Sequence, residues 1–505
     1  MLEKFDIVIA GSGFAGSVSA LALRNSGFRV CLVEKESHPR FAIGESSTPV
    51  ADMALRSLAD SYDLPYLHKL SRYGSWQENL PDLLCGIKRG FSYFSHQPGD
   101  HFYSDENHSH ELLVAASTSD NNSDTNWYRP DIDAFLAQKV KDAGITFLDR
   151  TEITGACYDK GLLLTLNGSM NRSNHPTLLH CKLLVDATGS PGMASQLFDI
   201  ESSDENFETN TFALYSHFSG VQRWSNHIKH LGYEMRDYPY DPDHSALHHL
   251  IEEGWMWNLR FNNELVSAGV VIDSTPEYRA FFNADKVLAW KYILSRYPSL
   301  NACFESSEIF RIPGEMKLSG RMQRRMKRVY GRNWVALNHT AGFVDPLHST
   351  GIAHTLCGLE RLLMIICKSW GNKEDLEKML ARHQGIIFTE FALIDLLVAG
   401  CFKSRRYFEL FHAFTMLYFT CTISYEQQRL AGNNPEYYLQ AGDSRIQRIV
   451  KQSYQELMVL LNGESPGKNV DAFIDKMRKR IEPYNTAGLL DMGKQNMYHH
   501  TAVKL

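Results

Sequence analysis

The sequence lacks any pair of cysteines two apart. Its nine cysteines lie scattered at 31, 85, 157, 181, 303, 357, 367, 401 and 421, so neither a zinc knuckle nor a redox dithiol is expected. An odd set of this kind fits reduced, buried thiols in a cytoplasmic protein. The chain also lacks an excess of positive charge. Its 52 Lys and Arg against 58 Asp and Glu leave a net −6, a field that repels nucleic acid and anionic membrane surfaces. Long apolar runs are missing too. The longest apolar-rich tract is read as roughly 408–424, which carries Glu409, His412 and several threonines and falls short of the ~20 apolar residues of a membrane span. It reads as a buried helix of a soluble domain. Met1-Leu2-Glu3-Lys4 runs straight into a strand, with no basic stretch followed by an apolar core, so the expected location is the cytoplasm.

What is present is ordinary globular material. Hydrophobic residues make up 44% of the 505 positions and charged ones 22%, enough for two or three domains or one large α/β domain with insertions. Phe5–Ala10 is a short β-branched run ending at glycine, Ser17–Ser26 is rich in alanine and leucine, and Arg29–Val33 is again apolar. Strand, helix and strand in that order predict a βαβ unit.

Residues 96–126 are polar and read as a loop excursion. Strands are expected near Ile145–Leu148, Leu162–Leu166 and Leu183–Ala187. From 205 to about 300 aromatic-rich strands alternate with polar turns, and helical spacing dominates 376–416 and 445–462. The tail after Gly488 reads as loosely ordered. The organisation expected is a nucleotide-binding core over 1–204, an inserted β-rich substrate domain over 205–310, a return to the core over 311–370, and a helical covering region over 371–505.

Gly11-Ser12-Gly13-Phe14-Ala15-Gly16 is G-x-G-x-x-G set between a strand and a helix. The first glycine permits the tight turn, the second lets the backbone approach a pyrophosphate, and the third packs helix on strand. The phosphates then meet unpaired N–H groups at the positive end of the helix. Glu34 closes the second strand eighteen residues after Gly16, where a carboxylate accepts from ribose hydroxyls. Lys35 and Arg40 follow at once, and an arginine there could reach the adenosine or the pyrophosphate. Val185-Asp186-Ala187-Thr188-Gly189 is a second strand running into a glycine turn, and Val335–Pro346 is a third segment, ending in Asp345-Pro346. Three separated contacts favour a long cofactor, FAD over NAD.

With these motifs on the page, the chain resembles the flavin-dependent halogenases over nearly its whole length, and is most similar to members acting on free phenols. Gly44-Glu45-Ser46-Ser47-Thr48-Pro49 looks like that family's flavin strap. Phe343-Val344-Asp345-Pro346-Leu347-His348-Ser349-Thr350-Gly351 matches its F-x-x-P-x-x-S-x-G pattern, and Cys85–Phe91 looks like the segment bearing its active-site lysine. The resemblance implies a Rossmann-type FAD domain of the glutathione-reductase class. It implies that reduced FAD and O₂ oxidise chloride or bromide to hypohalous acid, which Lys88 receives and delivers to an electron-rich ring. A lysine suits this, because an ammonium polarises the halogen, while burial makes the neutral amine accessible. Beside the motif residues, Arg129, Gly351 and Ile352 are expected at the flavin, and Thr350 and Gly351 at the halide. Phe91, Tyr93 and Phe94 are expected to line the substrate pocket. No second dinucleotide fingerprint is found, so a separate flavin reductase is the expected partner. A homodimer is compatible with the family.

Three positions depart from the family's pattern. Trp255 and Trp257 align with its flavin-screening W-x-W-x-I-P element, but Leu259-Arg260 replaces Ile-Pro. His348 stands where tryptophan halogenases have a glutamate, which argues against free tryptophan and leaves His348 as a proton acceptor near neutral pH. Asn338-His339 stands where many flavoprotein monooxygenases have Gly-Asp, so the ribityl contact is either missing or supplied by Asp345. These departures keep two rivals in view, a flavin monooxygenase or oxidase on the same fold and a flavin-binding protein without turnover.

Overall fold

The computed structural model describes residues 3–168, 177–189, 192–203, 207–463 and 469–501. Its first sheet grows from the expected βαβ unit. Glu3–Ala10 pairs in parallel with Val30–Val33 on one side and Thr177–Asp186 on the other. Trp334–Ala336 adds beyond Thr177–Asp186, and Thr146–Leu148 beyond Val30–Val33, both parallel. These central strands are buried on both faces, which is why they read as continuous apolar runs. The helix Phe14–Asn25 follows the glycine turn.

The second sheet has nine described strands and is mostly antiparallel. Its centre is Thr211–Ser219, Val266–Asp273, Gly254–Arg260 and Ala246–Ile251. It is not confined to 205–310. Gly90–Ser95 joins Ala246–Ile251 in parallel, Glu111–Ala115 pairs with Gly90–Ser95, and Met497–Tyr498 closes the edge. So the stretch 96–126, expected as a loop, supplies two strands, Glu111–Ala115 and Asp124–Trp127. Polar surroundings hid the first and its own polar residues the second, whose burial comes from pairing with Cys85–Lys88 earlier in the chain. The tail likewise owes its order to a strand partner nearly 400 residues away.

Helices cover the sheets: Thr350–Ser369, Lys373–Ser404, Phe408–Leu430, Ser444–Leu461 and Val470–Ile481. The helical spacing read over 376–416 resolves into two helices, turning at Arg405–Tyr407. Gly400 lets them close, since a Cβ there would run into the Phe414 ring. Thr350–Ser369 and Lys373–Ser404 are long and apolar enough to span a membrane, but most of each apolar window is buried inside the protein.

Midway along the second of these helices, Glu390 is fully buried and accepts from Arg361 through both its oxygens, at 3.0 and 3.1 Å. It also meets His354 at 2.8 Å and the N–H of Tyr438 at 2.9 Å. Burial works against this carboxylate, yet Arg361 and His354 hold it down to about 2. The ion pair therefore ties three segments of the helical region together. Removing one member of a buried pair strands the other, so Glu390→Ala should cost about 3 kcal/mol or more in urea unfolding. Because the folded carboxyl titrates below its ordinary value, its contribution is present above pH 4.5 and fades as pH falls toward 2. The variant should lose that part of the acid sensitivity.

Candidate active site

The glycine turn forms as its spacing requires. Gly11 has φ +95°, and a Cβ there would lie 2.6 Å from the Ala187 carbonyl oxygen. A Cβ on Gly16 would overlap the Gly11 carbonyl. Gly13 instead faces side chains, Arg129 and Asp133, at 3.4 and 3.7 Å. Glu34 accepts from the N–H and hydroxyl of Ser12, both at 2.8 Å, and meets Arg40 at 3.3 Å. Burial disfavours its charge, but Arg40 and the Glu36 and Ser12 N–H groups keep it below the usual carboxylate range.

Arg129 forks onto Asp133 at 3.0 and 2.8 Å, reaches the Ile43 and Gly44 carbonyls at 3.1 Å, and lies over the Phe14 ring. Asp133 in turn accepts from the Phe14 N–H at the start of the helix. Gly189 (φ +84°) and His339 close the far side. Ala15 is buried in the helix. Lys35 departs from expectation. It is exposed and pairs with Glu152 at 2.8 Å, because residues next to each other on an extended chain point to opposite sides.

The strap Gly44–Pro49 is stitched to four segments. Ser47 donates its N–H to Thr125 at 3.0 Å, and the Trp127 N–H donates to the Glu45 carbonyl at 2.5 Å. The Ser349 hydroxyl reaches Ser46 at 2.9 Å, and His217 meets the Glu45 carboxylate at 2.9 Å. The fourth segment is the lysine strand, where the Lys88 ammonium donates to the Ser47 carbonyl. Thus the strap joins the lysine strand to the turn that precedes Thr350.

Lys88 is wholly buried and lies 4.0 Å above the Phe91 ring. It stands opposite Asp124 across the antiparallel pair Cys85–Lys88 and Asp124–Trp127, so both side chains share one face. Burial pushes the amine down to about 8, and Asp124 and Asp52 resist that fall. The same burial pushes the two carboxyls up, Asp124 to about 6 with Lys88 holding it back, and Asp52 well above its usual range with the charge of Asp124 adding to the rise. Nothing in the sequence marked Asp52 or Asp124, which come from a helix and a supposed loop.

Ser349, at φ +54°, turns the chain into the helix beginning Thr350-Gly351-Ile352, leaving helix N–H groups free to face an anion. A Cβ on Gly351 would only touch the Phe343 ring, at 3.6 Å. Asp345 is buried and pushed up to about 7, and it accepts from the Leu347 N–H at 2.9 Å. It is spent on its own turn. His348 is buried beneath Tyr418, stacked at 4.2 Å, with Tyr93 and Cys401 on its two nitrogens at 3.1 and 3.3 Å. Burial holds it well below its ordinary value, so it stays neutral near pH 7 rather than accepting a proton there.

Phe91 and Tyr93 face these groups, and His248 stacks on both. Phe94 does not. It points through the sheet to Phe102 and Trp224, because alternate residues of a strand take opposite faces. A small cavity opens between Phe91, the strap residues Thr48 and Pro49, and the helix Phe408–Leu430 at Tyr418, Phe419, Thr422 and Glu426.

Trp255 and Trp257 are buried side by side, centroids 5.9 Å apart, with His248 against Trp255. Arg260, which replaces the family's proline, turns to Glu264 at 3.1 Å and to the carbonyls of Val221 and Gln222. The charge is thereby spent outside the aromatic wall. Asn338 binds His354 and packs on Gly358, whereas His339 stacks on Phe14 and is kept neutral by burial, at about 4.

A dinucleotide fits this cradle. His38 Nδ1, Arg40 Nε and His339 Nδ1 border the glycine turn as buried polar atoms without partners. Thr48 Oγ1, Glu45 Oε2 and both amide atoms of Asn126 do the same around the strap. Such groups are costly unless a ligand satisfies them. Gly16→Ala should abolish FAD binding, read by flavin fluorescence. Glu34→Ala should weaken it about tenfold through lost hydrogen bonds.

The stretches 6–61 and 234–389 match the tryptophan halogenase family. Monodechloroaminopyrrolnitrin halogenase PrnC of Pseudomonas fluorescens is 27% identical over 437 residues, 83% of this chain and 72% of its own. Tetracycline 7-halogenase of Kitasatospora aureofaciens is 26% identical over 370 residues, 70% of this chain and 61% of its own. Among solved structures, halogenase PltM in complex with phloroglucinol and FAD superposes with TM-score 0.83 at 20% identity, covering 98% of this chain and 99% of that one. The brominase Bmp2 gives 0.60 at 18%, over 94% and 100%. The glycine turn, the strap and these relatives agree: the chain is similar to the flavin-dependent halogenases, and its activity is the FADH2-dependent halogenation of an aromatic substrate.

Proposed function

We propose that this enzyme halogenates a phenolic small molecule, with Lys88 as the residue that holds hypohalous acid beside the ring. The carrying observation is a buried lysine seated between the strap carbonyl of Ser47 and the face of Phe91. Reduced flavin, O₂ and halide together supply hypohalous acid. The protein's own task is then to keep that acid from water and aim it.

Each part has a named instrument. Thr350 and Gly351 offer helix N–H groups to the halide. The Lys88 ammonium donates a hydrogen bond that polarises the halogen, and Asp124 keeps the amine protonated. Phe91 and Tyr93 wall the approach, and Trp255 and Trp257 screen the flavin side. The relative PltM was solved with phloroglucinol, and this supports a hydroxylated ring as substrate. A phenol is activated by its own oxygen, consistent with a neutral His348 at the place of the tryptophan halogenases' glutamate. A separate flavin reductase supplies the reduced cofactor, in the cytoplasm.

The test is mass spectrometry of phenols incubated with enzyme, FAD, a flavin reductase, NADH, O₂ and bromide or chloride. Lys88→Ala should bind FAD normally yet lose halogen incorporation at least about a hundredfold, the range of a positioned acid–base group. One-oxygen products independent of halide would replace this reading with a monooxygenase. The pH profile follows from the lysine, which is protonated below about 8 and neutral above it. Halogenation should therefore fall as pH rises through 8. Asp124→Asn removes a charge that favours the ammonium, so the fall should move to lower pH.

A further inference from the structure

The cavity beside Phe91 carries one acid that the site described above does not use. On the helix Phe408–Leu430, Phe419, Thr422 and Glu426 follow at spacings of three and four residues, which puts them on one face. All three line the cavity, together with Thr48, Phe91 and Tyr418.

Glu426 is only 4% exposed. No ion pair to it is found among the described residues, and its hydrogen-bond partner is the Thr422 hydroxyl, at 3.4 Å. The other acids nearby are engaged, Asp52 with Ser47 at 3.2 Å and Asp124 with the charge of Lys88. Glu390, on the neighbouring helix, shows how this protein treats a buried structural carboxylate, with a bidentate arginine. Glu426 has none. Burial, and then Asp124, raise its carboxyl to about 8, so near neutral pH it holds its proton and can both donate and accept. A buried acid without an ion pair is a standing cost, and its place on the wall of a cavity that shares Phe91 with Lys88 indicates what it meets.

We propose that Glu426 binds a ring hydroxyl of the arene, and so holds the carbon to be halogenated toward Lys88. The inference rests on the phenolic reading above and adds the group that recognises the hydroxyl. It also names the specificity: rings bearing a hydroxyl bind, while rings of equal size bearing a methyl lose the hydrogen bond.

Calorimetry on the FAD-loaded enzyme tests this with resorcinol and 1,3-dimethylbenzene, alongside the halogenation assay. Glu426→Leu should weaken resorcinol about tenfold, one hydrogen bond's worth, while leaving 1,3-dimethylbenzene unchanged or tighter. Glu426→Gln, which keeps a donor and an acceptor, should bind resorcinol within about threefold of the natural enzyme. If the leucine variant fails to fold, Glu426→Met is read in its place with the same expectations. Unchanged resorcinol binding in the apolar variant overturns the inference, as does an equal loss of both ligands, which would mark a packing role. Either result, with Lys88-dependent halogenation of phenols intact, leaves the phenolic reading standing. Should the natural enzyme halogenate no phenol and bind no resorcinol, both readings fall together.

Discussion

Everything around the site follows from keeping one ammonium inside the protein. A lysine removed from water must be offered electrons from nearby, and Lys88 finds a carbonyl, a ring face and a carboxylate. The carbonyl belongs to the strap, so the strap must cross directly over the lysine strand. The carboxylate belongs to Asp124, so 124–127 must pair with 85–88. Gly86, two residues before Lys88, has no room for a side chain against the Arg260 backbone. The end of the strand Gly254–Arg260 in the second sheet is thereby pressed against the lysine strand.

The lysine ribbon and the nine-stranded sheet meet at this place, and the same short stretch of chain serves both. Cys85–Lys88 builds the lysine ribbon, and Gly90–Ser95 continues at once into the nine-stranded sheet. Because strand residues alternate, Phe91 and Tyr93 look toward the helices while Phe94 fills the opposite core. The aromatic wall is thus a consequence of register. The helix Phe408–Leu430 completes it by bringing Tyr418 over His348 and Glu426 to the cavity.

Buried charge is handled in two ways here. Where it serves the fold, it is neutralised in full, as at Glu390 with Arg361 and His354, or at Arg260 with Glu264. Around Lys88 it is left partly uncompensated, with carboxyls pushed up and the amine pushed down by the same dry surroundings. Displaced pKa values of opposing sense in one cleft mark a place where protons and polarised bonds are handled.

What the sequence alone determined is what depends on neighbours along the chain. The βαβ unit, the glycine turn and Glu34 are local features, legible because one helix end and one strand end make the cradle. Lys88, the strap and the Ser349 turn were legible as short motifs, whereas Phe94 was read with Phe91 and Tyr93 and only the register of its strand sends it to the opposite core. Only the tertiary structure decided the company Lys88 keeps. Asp52, Asp124, Asn126 and Glu426 lie on a helix, a strand mistaken for loop, and a helix more than three hundred residues away. It decided too that Lys35 points outward, that Asp345 is spent on its own turn, and that Arg260 leaves the aromatic wall undisturbed. The reason is physical: burial and charge pairing are set by whichever distant segments the sheets bring into contact, and no local pattern encodes that choice.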